Sequence, residues 1–224
     1  MRVIYIKYKL IVLCMFFLFI ILIGRVDADV KDLPLLGRVI YLDAGHGGLD
    51  VGAIKGNVYE KDLNLKIVKK IAYKLGGKGA IVYLTRDGDY DLANKNVLNR
   101  KRSDLTKRAK LINESKADMY LSIHLNSTTQ SNWRGLQIFY TTKNKKNEEI
   151  AKFMNKFIQK RMSTVREVKK DNSYYMYKQI KVPGILIEAG FISNPSDLYL
   201  LKQDSYQNRL ALIITDGIVG YFKK

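Results

Sequence analysis

The 224 residues suit one domain of ordinary size, and a hydrophobic fraction of 47% with 11% aromatics excludes a disordered or low-complexity chain. The single cysteine, Cys14, lies in an N-terminal apolar run. That excludes a disulfide framework and a thiolate zinc site, so any metal must be held by histidine and carboxylate. The formal charge of +18 points to a polyanionic setting (nucleic acid, anionic lipid or an acidic wall polymer) or to no more than solvated lysine-rich faces.

Arg2, Lys7 and Lys9 precede Leu10 to Gly24, which carries no charge, and Arg25-Val26-Asp27-Ala28 follows. A basic start, a short apolar run and small residues at a cleavage position form an export signal. The run is short for a spanning helix of about 20 residues, so residues 1–28 read as a signal peptide or an uncleaved membrane anchor. Residues 29–36 read as a linker and 37–224 as the folded domain. An exported chain favours a cell-wall partner over nucleic acid.

Arg38 to Leu42 reads as a buried strand, followed by the turn Asp43-Ala44-Gly45-His46-Gly47-Gly48. Its glycines permit sharp turning and close approach to a ligand. It lacks the dinucleotide and P-loop spacings of a phosphate cradle. Glu60 to Leu75 has helical apolar spacing and stops at Gly76-Gly77, with Glu60 in its first turn as a ligand or merely a complement to the helix dipole. Ala80 to Thr85 is a second strand and 88–95 a polar loop. Leu105 to Ser115 is a helix with Leu105, Ala109, Leu111 and Ile112 inward. Its Lys101, Arg102, Lys107, Arg108 and Lys110 form an anion-binding face or simply its wet side.

Ala117 to Leu125 is a strand with His124 at its end and Asn126 beyond, placed to hold substrate or orient the turn. Leu136 to Tyr140 alternates as a strand. Lys146 to Met162 is an amphipathic helix, 163–173 a surface loop, and Tyr174 to Tyr177 an edge strand or groove wall. Gly184 to Ile187 is a buried strand ending at Glu188. Asn194-Pro195 opens a helix, and Tyr206 to Phe222 forms the last one. Strands alternating with helices predict one α/β domain: a twisted, mostly parallel but mixed sheet with helices on both faces. Ligands of such sheets lie beyond the carboxyl ends of the strands, where His46, His124 and Glu188 fall.

Two histidines and a carboxylate form a catalytic zinc set with an open fourth place. Such a zinc acidifies water and polarises a carbonyl. Glu188 is placed to take a proton from that water and pass it to a leaving amine, and Asp43 to orient a ligand histidine. The chain lacks a helix-borne zinc motif and a nucleophile elbow, so a metal-activated water is the remaining nucleophile.

These residues resemble the zinc-dependent N-acetylmuramoyl-L-alanine amidases of the third type. The resemblance covers nearly all of residues 37–222. It rests on the turn at 43–48, Glu60-Lys61-Asp62-Leu63-Asn64-Leu65, Leu105 with Arg108 and Asn113, Ser122-Ile123-His124-Leu125-Asn126, and Glu188-Ala189-Gly190-Phe191-Ile192-Ser193-Asn194. It implies one Zn²⁺ on His46, Glu60 and His124 and Glu188 as the catalytic glutamate. The bond implied is the amide joining the lactyl group of muramic acid to L-alanine in peptidoglycan. Asp43, Asn126 and Arg108 are further candidates for substrate binding or support.

Asp89-Tyr90-Asp91-Leu92 with the basic run to Arg108, and Trp133-Arg134-Gly135, resemble the spore-cortex, germination-specific branch. That branch implies cooperation with a muramic-acid deacetylase that leads to muramic-δ-lactam. Ala44 stands where many members carry proline. A vegetative wall autolysin of the same family, a non-catalytic peptidoglycan-binding protein and a basic nucleic-acid binder are the other readings. The last explains neither the export segment nor the histidines.

Overall fold

In the computed structural model, which describes residues 11–18 and 33–224, the strand signals become β1 (Val39–Ala44), a short ribbon of β2 (Ile54–Lys55) and β3 (Val58–Tyr59), and, after the helix α1 (Glu60–Gly76), β4 (Ile81–Leu84). Then come α2 (Arg100–Glu114), β5 (Met119–Asn126), β6 (Gln137–Tyr140), α3 (Lys146–Gln159), β7 (Lys169–Lys170), β8 (Gly184–Phe191), α4 (Pro195–Leu201) and α5 (Asp204–Phe222). Six strands form one sheet in the order β4-β1-β5-β8-β6-β7, mixed because β6 runs antiparallel to β8 while the other pairs are parallel.

Alternation along the strands sorts the sheet into two unlike faces. Ile40, Leu42, Met119, Leu121, Ile123, Ile185 and Ile187 join the larger core with α1, α3 and α5. The opposite face carries Tyr41, Tyr120, Phe139 and Leu186 under α2 and the segment around Met176 to Val182. Asp43, Ser122, His124 and Glu188 share the parity of that second face, toward its carboxyl end. β1 is the switch point of the topology, because the chain leaves it for β4 on one side and returns to β5 on the other. A crevice opens at the carboxyl end of such a strand.

Several expectations shift. Leu111 is 39% exposed rather than inward, and α2 begins at Arg100, five residues early. The Asn99 side chain accepts from Arg102 N and sets that start. The 163–173 segment contributes the two-residue strand β7, while residues 175–179 form turns that wall a groove. His124 lies two residues before the end of β5, which starts and stops later than expected, and Glu188 three residues before the end of β8, which is longer than expected. Pro34–Lys224 forms one compact unit, and Leu35, assigned to the linker, is fully buried with its N–H on Lys78 O. Of residues 1–28, only 11–18 are described. They are helical with exposed side chains, and no described helix is long and apolar enough to cross a membrane.

Candidate metal centre

His46 lies two residues beyond β1, with its backbone in the left-handed region at φ 62°. Paired backbone bonds between Gly47 and Asp50 close a tight turn that folds Asp50 back onto the imidazole, placing its Oδ1 3.0 Å from Nδ1. The other nitrogen, Nε2, stands 3.2 Å from Glu60 Oε2. Glu60 opens α1, whose start is fixed by bonds from Glu60 N to Ala53 O and from Lys61 N to Val51 O. Its Oε2 accepts from Ala53 N, and its Oε1 from Leu125 N and Asn64 Nδ2. His124 Nδ1 is 3.1 Å from the same Oε1. The strands thus deliver two imidazoles to one buried carboxylate. A role confined to the helix dipole does not account for this convergence.

One donor atom from each of His46, Glu60 and His124 lies within 4.8 Å of the others. Donors around a tetrahedral ion at about 2.1 Å stand about 3.4 Å apart. His46 and His124 approach different oxygens of Glu60, at 3.2 and 3.1 Å, and two nitrogens with one carboxylate are a zinc-type donor set. Close packing here explains two glycines. A Cβ on Gly45 would fall on the His124 ring, and one on Gly52 would lie 2.6 Å from Glu60 Oε2. In the metal-free arrangement burial works against the His46 cation, but Asp50 and Glu60 outweigh it and raise the imidazole to about 9. Burial likewise opposes the Glu60 anion, and the two imidazoles overcome it, holding the carboxyl well below the usual range.

Glu188 pairs with His124 in register across β5 and β8. It is buried, and its Oε2 has no hydrogen-bond partner. Burial pushes the carboxyl up to about 7, with Glu60 adding to the rise and His124 and His46 opposing it. A cavity of about 250 Å³ brings Glu188 together with His46, Glu60 and His124, walled by Tyr174 and Tyr175 and by Lys101 at its mouth.

The remaining candidates divide. Asn126 lines the cavity, and its carbonyl accepts from Ile192 N. Asp43 orients no histidine. It accepts from Arg108 Nη1 and Thr85 Oγ1 at 2.8 Å and from Ser122 Oγ. Arg108 borders the cavity but is 1% exposed and consumed by Asp43, Asp104 and the carbonyls of Ala44 and His46, so it offers no free anion-binding face. The partner of His46 is Asp50, whose only sequence signal was a carboxylate four residues beyond a histidine in a glycine-rich turn. Arg86, equally overlooked, donates to the carbonyls of Ala44, Gly45, Lys61 and Gly88.

The N-acetylmuramoyl-L-alanine amidase family model matches residues 40–219. The germination-specific N-acetylmuramoyl-L-alanine amidase of Bacillus subtilis (strain 168) is 43% identical over 194 residues, covering 85% of this chain and 82% of that protein. The amidase LytC of the same organism is 32% identical over 192 residues, which span 85% of this chain but only 36% of LytC. Among solved structures, the CwlD amidase of Clostridioides difficile, in complex with the GerS lipoprotein, superimposes with a TM-score of 0.78 at 34% identity. The match covers 84% of this chain and 99% of that one.

Proposed function

The chain belongs to the N-acetylmuramoyl-L-alanine amidase family and is such an enzyme, and from that premise we propose that it works with one zinc ion held by His46, Glu60 and His124 and with Glu188 as its proton carrier. The observation that carries this reading is the single cavity in which the three-donor cluster meets a buried carboxylate whose Oε2 has no partner. The scissile bond is the amide between the lactyl group of N-acetylmuramic acid and L-alanine. When bound, zinc supplies Lewis-acid polarisation of that carbonyl and makes water acidic near neutral pH. His46 and His124 present neutral ring nitrogens, and Asp50 fixes the tautomer of His46 through Nδ1. Glu188 accepts the proton of the attacking water at Oε2 and returns it to the departing amine of L-alanine. A carboxyl near neutrality suits both halves of that transfer. Tyr174 and Tyr175 line the cavity beside the metal donors.

The substrate is spore-cortex peptidoglycan, where stem-peptide removal prepares muramic acid for a deacetylase and δ-lactam formation. The likeness to the germination-specific relative supports this. Residues 1–28 export the chain or anchor it at the outer membrane face, as their basic start and apolar run favour, leaving 37–224 as the catalytic part. The test has two arms. Dialysed protein should contain about one zinc and lose peptide release on chelation. Cortex from spores lacking the protein should lack muramic-δ-lactam by mass analysis of its muropeptides. Full activity of a zinc-free preparation refutes the mechanism, and normal lactam content refutes the cortex role.

A further inference from the structure

We infer that Arg86 and Arg108 are positioning residues of the metal site, with Arg86 tying the arm that carries His46 to the arm that carries Glu60. The inference rests on the zinc reading above. The backbone carbonyls of three successive residues, Ala44, Gly45 and His46, all accept from these two guanidinium groups. Arg108 reaches Ala44 O and His46 O, each at 2.7 Å. Arg86 reaches Ala44 O through Nε at 2.9 Å and Gly45 O through Nη2 at 3.0 Å. The same Nη2 lies 2.7 Å from Lys61 O, so one nitrogen joins the residue before His46 to the residue after Glu60. Asn64 repeats the link, donating to both Gly45 O and Glu60 Oε1 at 3.2 Å.

Both guanidiniums are 1% exposed, so each charge has left water to serve this loop. The loop needs the support because His46 adopts φ 62°, a conformation that residues other than glycine seldom occupy. Arg108 is itself anchored by Asp43 at 2.8 Å and by Asp104 at 2.8 Å, which fixes the direction of its fork. Lysine keeps the charge but cannot reach several carbonyls with one planar group. The two arginines thus hold the ligand arms near their metal-binding separation before any ion arrives.

Zinc affinity, measured by competition with a chromogenic chelator, separates positioning from simple structural support. Arg86→Lys and Arg108→Lys should bind zinc about 10–100-fold more weakly, as expected for groups that orient ligands. Excess zinc should restore occupancy. Ile158→Ala, a cavity variant in the buried face of α3 remote from the loop, should keep wild-type affinity despite a lower thermal midpoint. A second readout needs no variant. In metal-free wild-type protein the amides of residues 44–48 should already resist hydrogen exchange, and zinc should add little protection. Wild-type affinity in both folded lysine variants, equal loss in Ile158→Ala, or protection of 44–48 that appears only with zinc would each overturn the inference. Absence of zinc binding by wild-type protein would overturn the metal reading itself and this inference with it.

Discussion

Replacing Glu188 by glutamine should remove the proton carrier and, in metal-free protein, make the fold more stable as pH rises. The carboxyl sits at about 7 instead of the ordinary 4.5 because burial, aided by Glu60, outweighs the opposing histidines. Between those values the native state binds a proton that the unfolded chain has lost, so wild-type stability falls with rising pH across this window and the loss is complete above about 7. At about 1.4 kcal/mol per pH unit the full penalty is about 3 kcal/mol. Glutamine is neutral throughout and escapes it. Its new amide group, buried where Oε2 lacks a partner, costs about 1–3 kcal/mol, but by the same amount at every pH. The readout is therefore the difference between variant and wild type, which should move by about 2–3 kcal/mol in favour of glutamine from pH 5 to pH 8. Thermal unfolding with a chelator present would show this as a relative shift of several degrees, at about 2–4 °C per kcal/mol for a domain of this size. With zinc restored, the variant should retain the ion and lose about 10²–10⁴-fold in stem-peptide release. Parallel stability curves at pH 5 and pH 8, or undiminished turnover, would refute the reasoning.

Three further outcomes follow from the same geometry. Asp50→Asn weakens the acceptor that fixes His46 Nδ1 and should lower zinc affinity about 10–100-fold in a chelator competition. Because His46 is protonated up to about pH 9 in the metal-free site, zinc must displace a proton. Affinity should rise with pH up to about 9, and calorimetry in buffers of different ionisation heat should register proton release near pH 7.5. Gly45→Ala drives a methyl group into the His124 ring and should abolish zinc binding, whereas Gly76→Ala, which meets nothing within 4 Å, should bind zinc normally.

Most of the fold was legible because its strands and helices carry strong apolar periods, and the placing of His46, His124 and Glu188 toward the carboxyl edge of the sheet follows from topology. The less legible parts share a cause: their determinants are distant in sequence or polar. The ribbon β2–β3 and the strand β7 are two residues each, too short for a period, and exist because neighbouring backbone presents free groups. The early start of α2 comes from an asparagine cap within a polar run that hides the helix boundary. Leu111 follows the apolar pattern of α2 yet faces solvent, since residues 109 and 112 already fill the contact with the sheet. Asp43, next to a candidate ligand, invited a pairing with histidine. Its actual partners lie 42, 65 and 79 residues away, and no local spacing could reveal them.

The buried charges of the site also explain why so polar a centre can sit within the protein. Arg86 is met by backbone carbonyls instead of a carboxylate, while Asp43 and Asp104 face Arg108 and Asp50 and Glu60 face the imidazoles at about 3 Å. Such pairs gain little over apolar packing in net stability, but removing one member strands the other at a cost of about 3–5 kcal/mol. A site selected only for stability would favour leucine and isoleucine at these positions, as the opposite face of the sheet does. Glu188 Oε2, like Asn64 Oδ1 behind Glu60, is buried without a partner, but Glu188 lines the cavity, where a water molecule or a leaving amine would complete its hydrogen bonding.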